Sequence, residues 1–357
     1  MIGISLLTLV PGVVGGSETY ARELVRALAR KGRLAYHVFL PTLASDAADG
    51  LPGSTVASYP ARRSTTGRLR AMALATAFPG RIRRDLVAEP LGALHFPLAL
   101  PIPRGTGLPA VVTVLDVQHE LYPRFFSRAE LAYRKLAYRA AVRTARIVIT
   151  ISEHAKATIV ERLGVAPERV RAIHLGVDHE QLHPGTAARE PFLLYPANHW
   201  PHKNHARLLE AFALLRESRP ELRLVLTGSG HNGEAPAPGV EVRGHVSRDE
   251  LVRLYQTASA LVFPSLYEGF GLPPLEAMAC GCPVAVARAG ALPEVCGNAA
   301  CYFDPTRPEE IADAVIETLQ RSGELAEQGT VQAQRFSWDA CARRHDDVYE
   351  ELLSAAR

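Results

Sequence analysis

Ala260-Leu261-Val262-Phe263-Pro264-Ser265-Leu266-Tyr267-Glu268-Gly269-Phe270-Gly271-Leu272-Pro273-Pro274-Leu275-Glu276 sets an apolar run, a glycine-bearing turn and a proline pair in a row. The apolar run from Ala260 to Phe263 has the length and composition of a buried strand. Pro273 and Pro274 suit a helix's first turn, where a missing N–H costs nothing. The unit is therefore strand, turn, helix, with backbone amides from Gly269 to Leu272 at the helix entrance. Amides there favour an anion, phosphate being the common one. Glu268 and Glu276 stand eight positions apart across this turn. Glu276, in the first helical turn, has the acceptors to hold two vicinal hydroxyls such as those of a ribose. Glu268, at the strand end, can do the same for sugar hydroxyls. A surface loop before a capped helix is the plain alternative for either Glu alone. The whole run describes a nucleotide-sugar site.

Working outward, the same rhythm recurs. Ile2–Leu7, Tyr36–Leu40, Val111–Leu115 and Ile147–Ile151 are strand-like, with helical patterns at 18–30 and 128–145. After a polar stretch from His179 to Pro191, the runs Phe192–Tyr195, Leu222–Thr227, Leu261–Phe263 and Val284–Ala287 alternate with helices near 205–217, 247–257 and from Pro274. Alternation predicts parallel sheets covered by helices. We read an α/β chain of two doubly wound, Rossmann-like domains, 1–183 and 190–338, facing across a cleft. Ligands then belong at the C-terminal strand ends.

The 357 residues suffice for two cores. No run reaches the ~18 apolar residues of a membrane span, and the N-terminus reads as a first strand rather than a leader. The five cysteines all follow residue 279, without a second pair at zinc spacing, and read as reduced residues of a cytoplasmic protein. Residues 1–183 carry 24 basic and 14 acidic side chains, and residues 184–357 carry 16 and 23. Arg62, Arg63, Arg68, Arg70, Arg81, Arg83 and Arg84 precede any acid until Asp85. This run is either a solvated helix face or a surface for anionic lipid or a phosphate-bearing acceptor, which would place the protein peripherally at the inner face of a membrane. Nothing resembles a nucleic-acid module.

The 264–276 run resembles the Glu-x7-Glu motif of retaining, GT-B-fold glycosyltransferases. Its extended form, Phe263-Pro264-Ser265…Glu268-Gly269-Phe270-Gly271-Leu272-Pro273…Glu276-Ala277, resembles glycosyltransferase family 4. The resemblance spans nearly the whole chain and is weakest over 42–92. It implies a nucleoside diphosphate sugar as donor and no metal, and the chain contains no Asp-x-Asp clamp. It also implies a terminal helix, 339–357, crossing back onto the N-terminal, acceptor-side domain, while 190–338 binds the nucleotide sugar.

Other segments gain roles from it. Gly15 and Gly16, between the first strand and first helix, permit close approach of backbone to phosphate, and the family's loop there faces the donor diphosphate; Ser17 reads as the N-cap. In Tyr195-Pro196-Ala197-Asn198-His199-Trp200-Pro201-His202-Lys203, Lys203 is suited to neutralise a departing diphosphate. Relatives commonly carry Arg where Asn198 stands, leaving His199 or His202 as cationic help. Gly228, Ser229 and the Gly244-His245-Val246 segment surround the nucleotide in the family, with Val246 near the base; Ser247 and Glu250 also form a capping box. Asp116 and His119 follow the 111–115 strand and can orient sugar or acceptor, with His119 exchanging protons. Relatives often have His at Leu115. The implied reaction moves a hexose to an acceptor hydroxyl with retention, Asp116, His119, Lys203 and Glu268 carrying the chemistry. The acceptor is a glycan, lipid-linked sugar or small molecule, and the donor GDP-mannose ahead of UDP-hexoses. Alternatives are a sugar-nucleotide epimerase on the same fold and a non-catalytic binding protein.

Overall fold

The computed structural model describes residues 1–12, 15–87, 89–103, 105–230 and 235–355. Val13 and Val14 of the glycine loop lie outside the described residues, as do residues 356–357 of the terminal helix and the side chain of Arg68. The chain forms two compact units, Met1–Gly176 with Trp338–Arg357, and Val177–Ser337.

In the first unit, β1 (Ile2–Ser5), β2 (Tyr36–Leu40), β3 (Gly53–Thr55), β4 (Ala93–Phe96), β5 (Ala110–Thr113), β6 (Ile147–Thr150) and β7 (Val170–Ala172) form one sheet. Its order is β3-β2-β1-β4-β5-β6-β7, every pairing parallel. All residues of β1, β2, β4 and β6 are buried. Parallel sheets covered on both faces require this, and apolar runs such as Ile147-Val148-Ile149 supply it. The first helix, Gly16–Lys31, starts two residues earlier than a Ser17 cap requires. Gly15 takes the N-cap at φ 52°, where a side chain is strained, and its carbonyl receives the Glu18 amide at 2.9 Å.

The terminal helix, Trp338–Ser354, belongs to this unit. It buries Trp338, Cys341, Ala342, His345, Val348, Tyr349 and Leu352, a spacing of one apolar face. Polar groups on that face are paired: Tyr349 Oη lies 2.7 Å from His95 Nδ1, and His95 Nε2 lies 2.8 Å from Thr113 Oγ1. Tyr20 Oη bridges Thr113 Oγ1 at 2.9 Å and His345 Nε2 at 3.0 Å. Burial pushes the His345 imidazole down to about 4 and holds His95 well below its ordinary value.

The second unit holds β8 (Glu190–Pro196), β9 (Arg223–Thr227), β10 (Val240–Gly244), β11 (Ala258–Phe263), β12 (Val284–Ala287) and β13 (Cys301–Phe303). They run parallel in the order β10-β9-β8-β11-β12-β13. Right-handed crossovers leaving β8 and β11 in opposite directions put their helices on opposite faces. The helices then sort accordingly: His205–Ser218 packs with Pro308–Gln320, and Leu272–Ala279 with Ser322–Ala333. Where the order reverses, between β8 and β11, two strand-end loops leave side by side, the arrangement that opens a ligand crevice. Among the described residues no helix is long and apolar enough to cross a membrane.

Candidate functional site

The loop after β8 carries Asn198 to Lys203, and the loop after β11 carries Pro264 to Gly271. Backbone and side chain tie them together. The Leu266 amide donates to the His202 carbonyl at 2.8 Å, and Asn204 Nδ2 donates to the carbonyls of Pro264 (3.1 Å) and Pro305 (2.7 Å). Asn204 reaches both from a left-handed conformation, φ 60°, which Asn tolerates better than most residues. Tyr195 Oη donates to the Lys203 carbonyl at 2.5 Å, fixing the residue from below.

The two loops bring Lys203 and Glu268 together. Lys203 Nζ sits 2.6 Å from Glu268 Oε1, with side chains 12% and 13% exposed. The same ammonium lies 5.1 Å over the Phe263 ring. His202 is pushed down to about 4, chiefly by burial and then by the Lys203 charge, with Glu268 opposing. It is therefore neutral at pH 7 and adds no cation beside Lys203. Trp200, 46% exposed, tilts over His202 at 5.7 Å between ring centroids.

Glu268 is clamped from behind. Its carbonyl accepts from the Ala291 amide at 3.0 Å, and a Cβ on Gly290 would stand 2.3 Å from that carbonyl oxygen. Gly271 begins the helix Leu272–Ala279 at φ 108°, and a Cβ there would meet Leu292 Cδ2 at 2.6 Å. Gly269, Phe270 and Gly271 are buried and Leu272 half-buried, so the helix entrance is a packed, well-fixed loop. Phe270 anchors it edge-on to Phe336, centroids 5.8 Å apart.

Glu276 is also in place, with 12% of its side chain exposed. Arg248 Nη1 lies 2.8 Å from Oε1, and Tyr255 Oη donates to Oε2 at 3.1 Å. Burial, then the Glu276 carboxylate, raises the Tyr255 hydroxyl well above its ordinary value, so it stays a donor. A carboxylate offers about four lone-pair positions; these two contacts use one on each oxygen and leave the others for a vicinal diol.

Asn198 is turned toward Ser229: its Oδ1 accepts from the Ser229 amide at 2.8 Å and hydroxyl at 2.9 Å. Gly228, at φ 114°, permits this, since a Cβ would lie 2.7 Å from the Ala197 carbonyl. Val246 is half-buried between Gly244 and the Ser247 cap, which accepts from the Glu250 amide at 3.2 Å.

The remaining candidates sit in the first unit. Gly15 and Gly16 open the first helix, and a Cβ on Gly16 would meet no atom of the described residues within 4 Å. Asp116 Oδ1 accepts from the Gln118 amide at 3.1 Å, shaping the turn after β5. His119 is buried, its ring edge-on to Tyr138 at 4.7 Å and to Phe126 at 6.4 Å, with Nε2 lacking a hydrogen-bond partner among the described residues. Burial first, then the charges of Arg134, Lys135 and Arg139, push it down to about 4. It is a neutral, enclosed imidazole at pH 7.

Sequence reasoning passed over Arg248, Tyr255, Tyr195, Asn204 and Gly290. Arg248 and Tyr255 lie on one helix, Arg248–Thr257, at i and i+7, the only local sign that they share a face. Gly290 carries no local sign at all.

Residues 14–181 match the family described as Glycosyltransferase Family 4, and residues 180–336 the family described as Glycosyl transferases group 1. The O-antigen chain mannosyltransferase B of Escherichia coli is 30% identical over 268 residues, 68% of this chain and 70% of that one. The sucrose-phosphate synthase of Thermosynechococcus elongatus superposes with a TM-score of 0.78 at 19% identity, covering 99% of each chain. HepE of Anabaena, solved with UDP and glucose, gives 0.71 at 19% identity over 98% of this chain and 99% of that one. With a parallel sheet in each unit, the two family matches together covering residues 14–336, and a relative 30% identical over 68% of the chain, the chain belongs to glycosyltransferase family 4, an enzyme of the two-domain GT-B fold that transfers a hexose.

Proposed function

We propose that the protein moves a mannosyl group from GDP-mannose, in preference to a UDP-hexose, onto an acceptor hydroxyl with retention of configuration and without a metal. The observation that carries this is the Lys203–Glu268 contact at the β8/β11 switch point, with Glu276 fixed by Arg248 and Tyr255 in the same unit. The E. coli relative, a mannosyltransferase by name, favours mannose; HepE, solved with UDP and glucose, keeps UDP-hexoses as the competitor.

In this reading residues 190–338 bind the donor and residues 1–183, with the terminal helix, serve the acceptor. Glu276 holds the ribose diol. Glu268 holds the hexose hydroxyls and Lys203 the β-phosphate, so the pair opens to admit charge at one end and hydroxyls at the other. The acceptor oxygen bonds to the anomeric carbon as the bond from that carbon to the β-phosphate oxygen breaks. The acceptor proton passes to the departing diphosphate on the same face. Lys203, the Gly269–Leu272 amides and the Gly15-Gly16 loop stabilise that diphosphate, which is where charge develops. Gly228, Ser229 and Val246 line the nucleotide, and Asn198 acts through Ser229. Asp116 orients the acceptor side; the burial of His119 suits it to shaping that loop better than to shuttling protons. The acceptor is a glycan, a lipid-linked sugar or a small molecule.

The test is proton NMR of GDP-mannose and UDP-hexoses with the enzyme and EDTA, alone and with mannosides as acceptors. Appearance of an α-linked product, or of α-hexose from slow donor hydrolysis, is expected. A β product, or an obligatory divalent ion, would overturn the mechanism; conversion of the donor into another nucleotide sugar would replace transfer by epimerisation.

A further inference from the structure

The arginine-rich segment of the first unit takes no part in the site above. Residues 62–84 contain seven arginines and no acid. The segment folds as two helices, Thr65–Ala77 and Gly80–Val87. Ala71 and Ala75 of the first, and Ile82 and Leu86 of the second, pack into the unit's core. That anchoring decides what the opposite faces present. Arg70, Leu74 and Phe78 follow at four-residue intervals, so they line one side of the first helix and its C-cap. All three are exposed, Leu74 by 50% and Phe78 by 73%. On the second helix Arg81 and Arg84 are exposed, and Asp85, also exposed and accepting from Ser58 Oγ at 2.5 Å, is the one carboxylate on the two helices.

A neighbouring helix, Arg128–Thr144, meets the first through Tyr133 Oη, 3.7 Å from Met72 Sδ, and exposes Leu136 by 74%. Among the described residues six large apolar side chains are exposed, and these three include the two most exposed. A merely solvated face has no use for a phenylalanine at its corner. Apolar tips on two helices that carry five arginines and one aspartate are complementary to a layer of anionic headgroups above acyl chains, arginines at the phosphates and the tips beneath them. We propose that the helices Thr65–Ala77 and Gly80–Val87 form a docking surface for an anionic lipid bilayer, with Leu74 and Phe78 inserting below the headgroups. This stands apart from the donor reading and holds whichever nucleotide is used. It places the enzyme where a lipid-linked acceptor would be met.

The test is co-sedimentation of the full-length protein with vesicles of phosphatidylcholine alone and of phosphatidylcholine with about 30 mol% phosphatidylglycerol. Binding is expected only to the anionic vesicles and is expected to fade at high salt. Phe78→Asp, and separately Arg81→Glu with Arg84→Glu, should each lower partitioning about tenfold or more, while nucleotide binding stays as in the unmodified protein. Leu74→Asp, on the same face, decides the matter should Phe78→Asp fail to fold. No sedimentation with anionic vesicles, or undiminished sedimentation of the Asp variants, would overturn the proposal. So would a change of oligomeric state on Phe78→Asp, which would assign the face to a second copy of the chain.

Discussion

Replacing Lys203 by Met, alone and together with Glu268→Gln, separates what the pair does for the fold from what it does for the reaction. Removing one partner of a buried ion pair costs about 3–5 kcal/mol, because the other charge is left without compensation. Here the side chains keep 12% and 13% exposure, so water relieves part of the strain and about 2–3 kcal/mol is expected. For a unit of this size that corresponds to a melting-temperature drop of roughly 5–10 °C. Glu268→Gln in the same chain removes the stranded carboxylate, and the coupling between neighbours, about 1 kcal/mol or more, should return as partial recovery of stability. Activity should behave oppositely. Lys203→Met deletes a cation aimed at the leaving diphosphate, a loss of about 100- to 1,000-fold in kcat, and the double variant should remain as slow or slower. Calorimetry and initial-rate transfer assays on the four proteins give the full cycle. Recovery of turnover in the double variant, or a kcat within a few-fold of the parent for Lys203→Met, would refute the assignment of Lys203 to the leaving group.

Three further outcomes follow from the geometry. Arg248→Ala should loosen Glu276, raising the donor KM about tenfold with less effect on kcat, and Arg248→Lys should restore part of it; an equal fall in kcat and kcat/KM in steady-state kinetics would assign Arg248 to the transition state instead. Gly271→Ala should destabilise by about 2 kcal/mol or more in urea melts, because φ is 108° and Leu292 lies 2.6 Å from the added carbon. His345 titrates near 6.5 when unfolded and at about 4 when folded. Between those values the unfolded chain binds more protons, so stability falls as pH drops from about 6.5 to about 4, by up to on the order of 3 kcal/mol, and this contribution changes no further below. Melts at about pH 7 and about pH 4.5 should show this slope diminished in His345→Gln, His95 supplying the remainder; superimposable slopes would contradict it.

The strand–turn–helix from Ala260 to Glu276 is legible because every signal in it is local: a run of apolar residues, glycines where φ turns positive, prolines in a first turn. The parallel alternation is legible for the same reason, since central strands such as Ile147–Thr150 are apolar at every position but the last. Other elements hide. β4 contains His95, a buried polar residue whose partners Thr113 and Tyr349 lie 18 and 254 positions away, so nothing nearby announces a strand. The helix Thr65–Ala77 anchors itself through Ala71 and Ala75, residues too small to mark an apolar stripe. Within the site, the identity of the two glutamates can be read from spacing, but their partners cannot. Arg248 reaches Glu276 from another helix, 28 positions away, and only the order of strands brings them together. Burial corrects the sequence reading in the same way: half-buried His202 is neutral where the sequence offered it as cationic help, and His119 is a neutral, enclosed ring where the sequence offered a proton carrier.

Isothermal titration of GDP and of UDP in EDTA, into the parent protein and into Glu276→Ala, tests the central assignment most directly. The account predicts that one nucleotide binds the parent without a divalent ion and that Glu276→Ala weakens it about tenfold or more, through loss of the ribose contacts. Equal affinity in the two proteins, or binding by neither nucleotide, would contradict it.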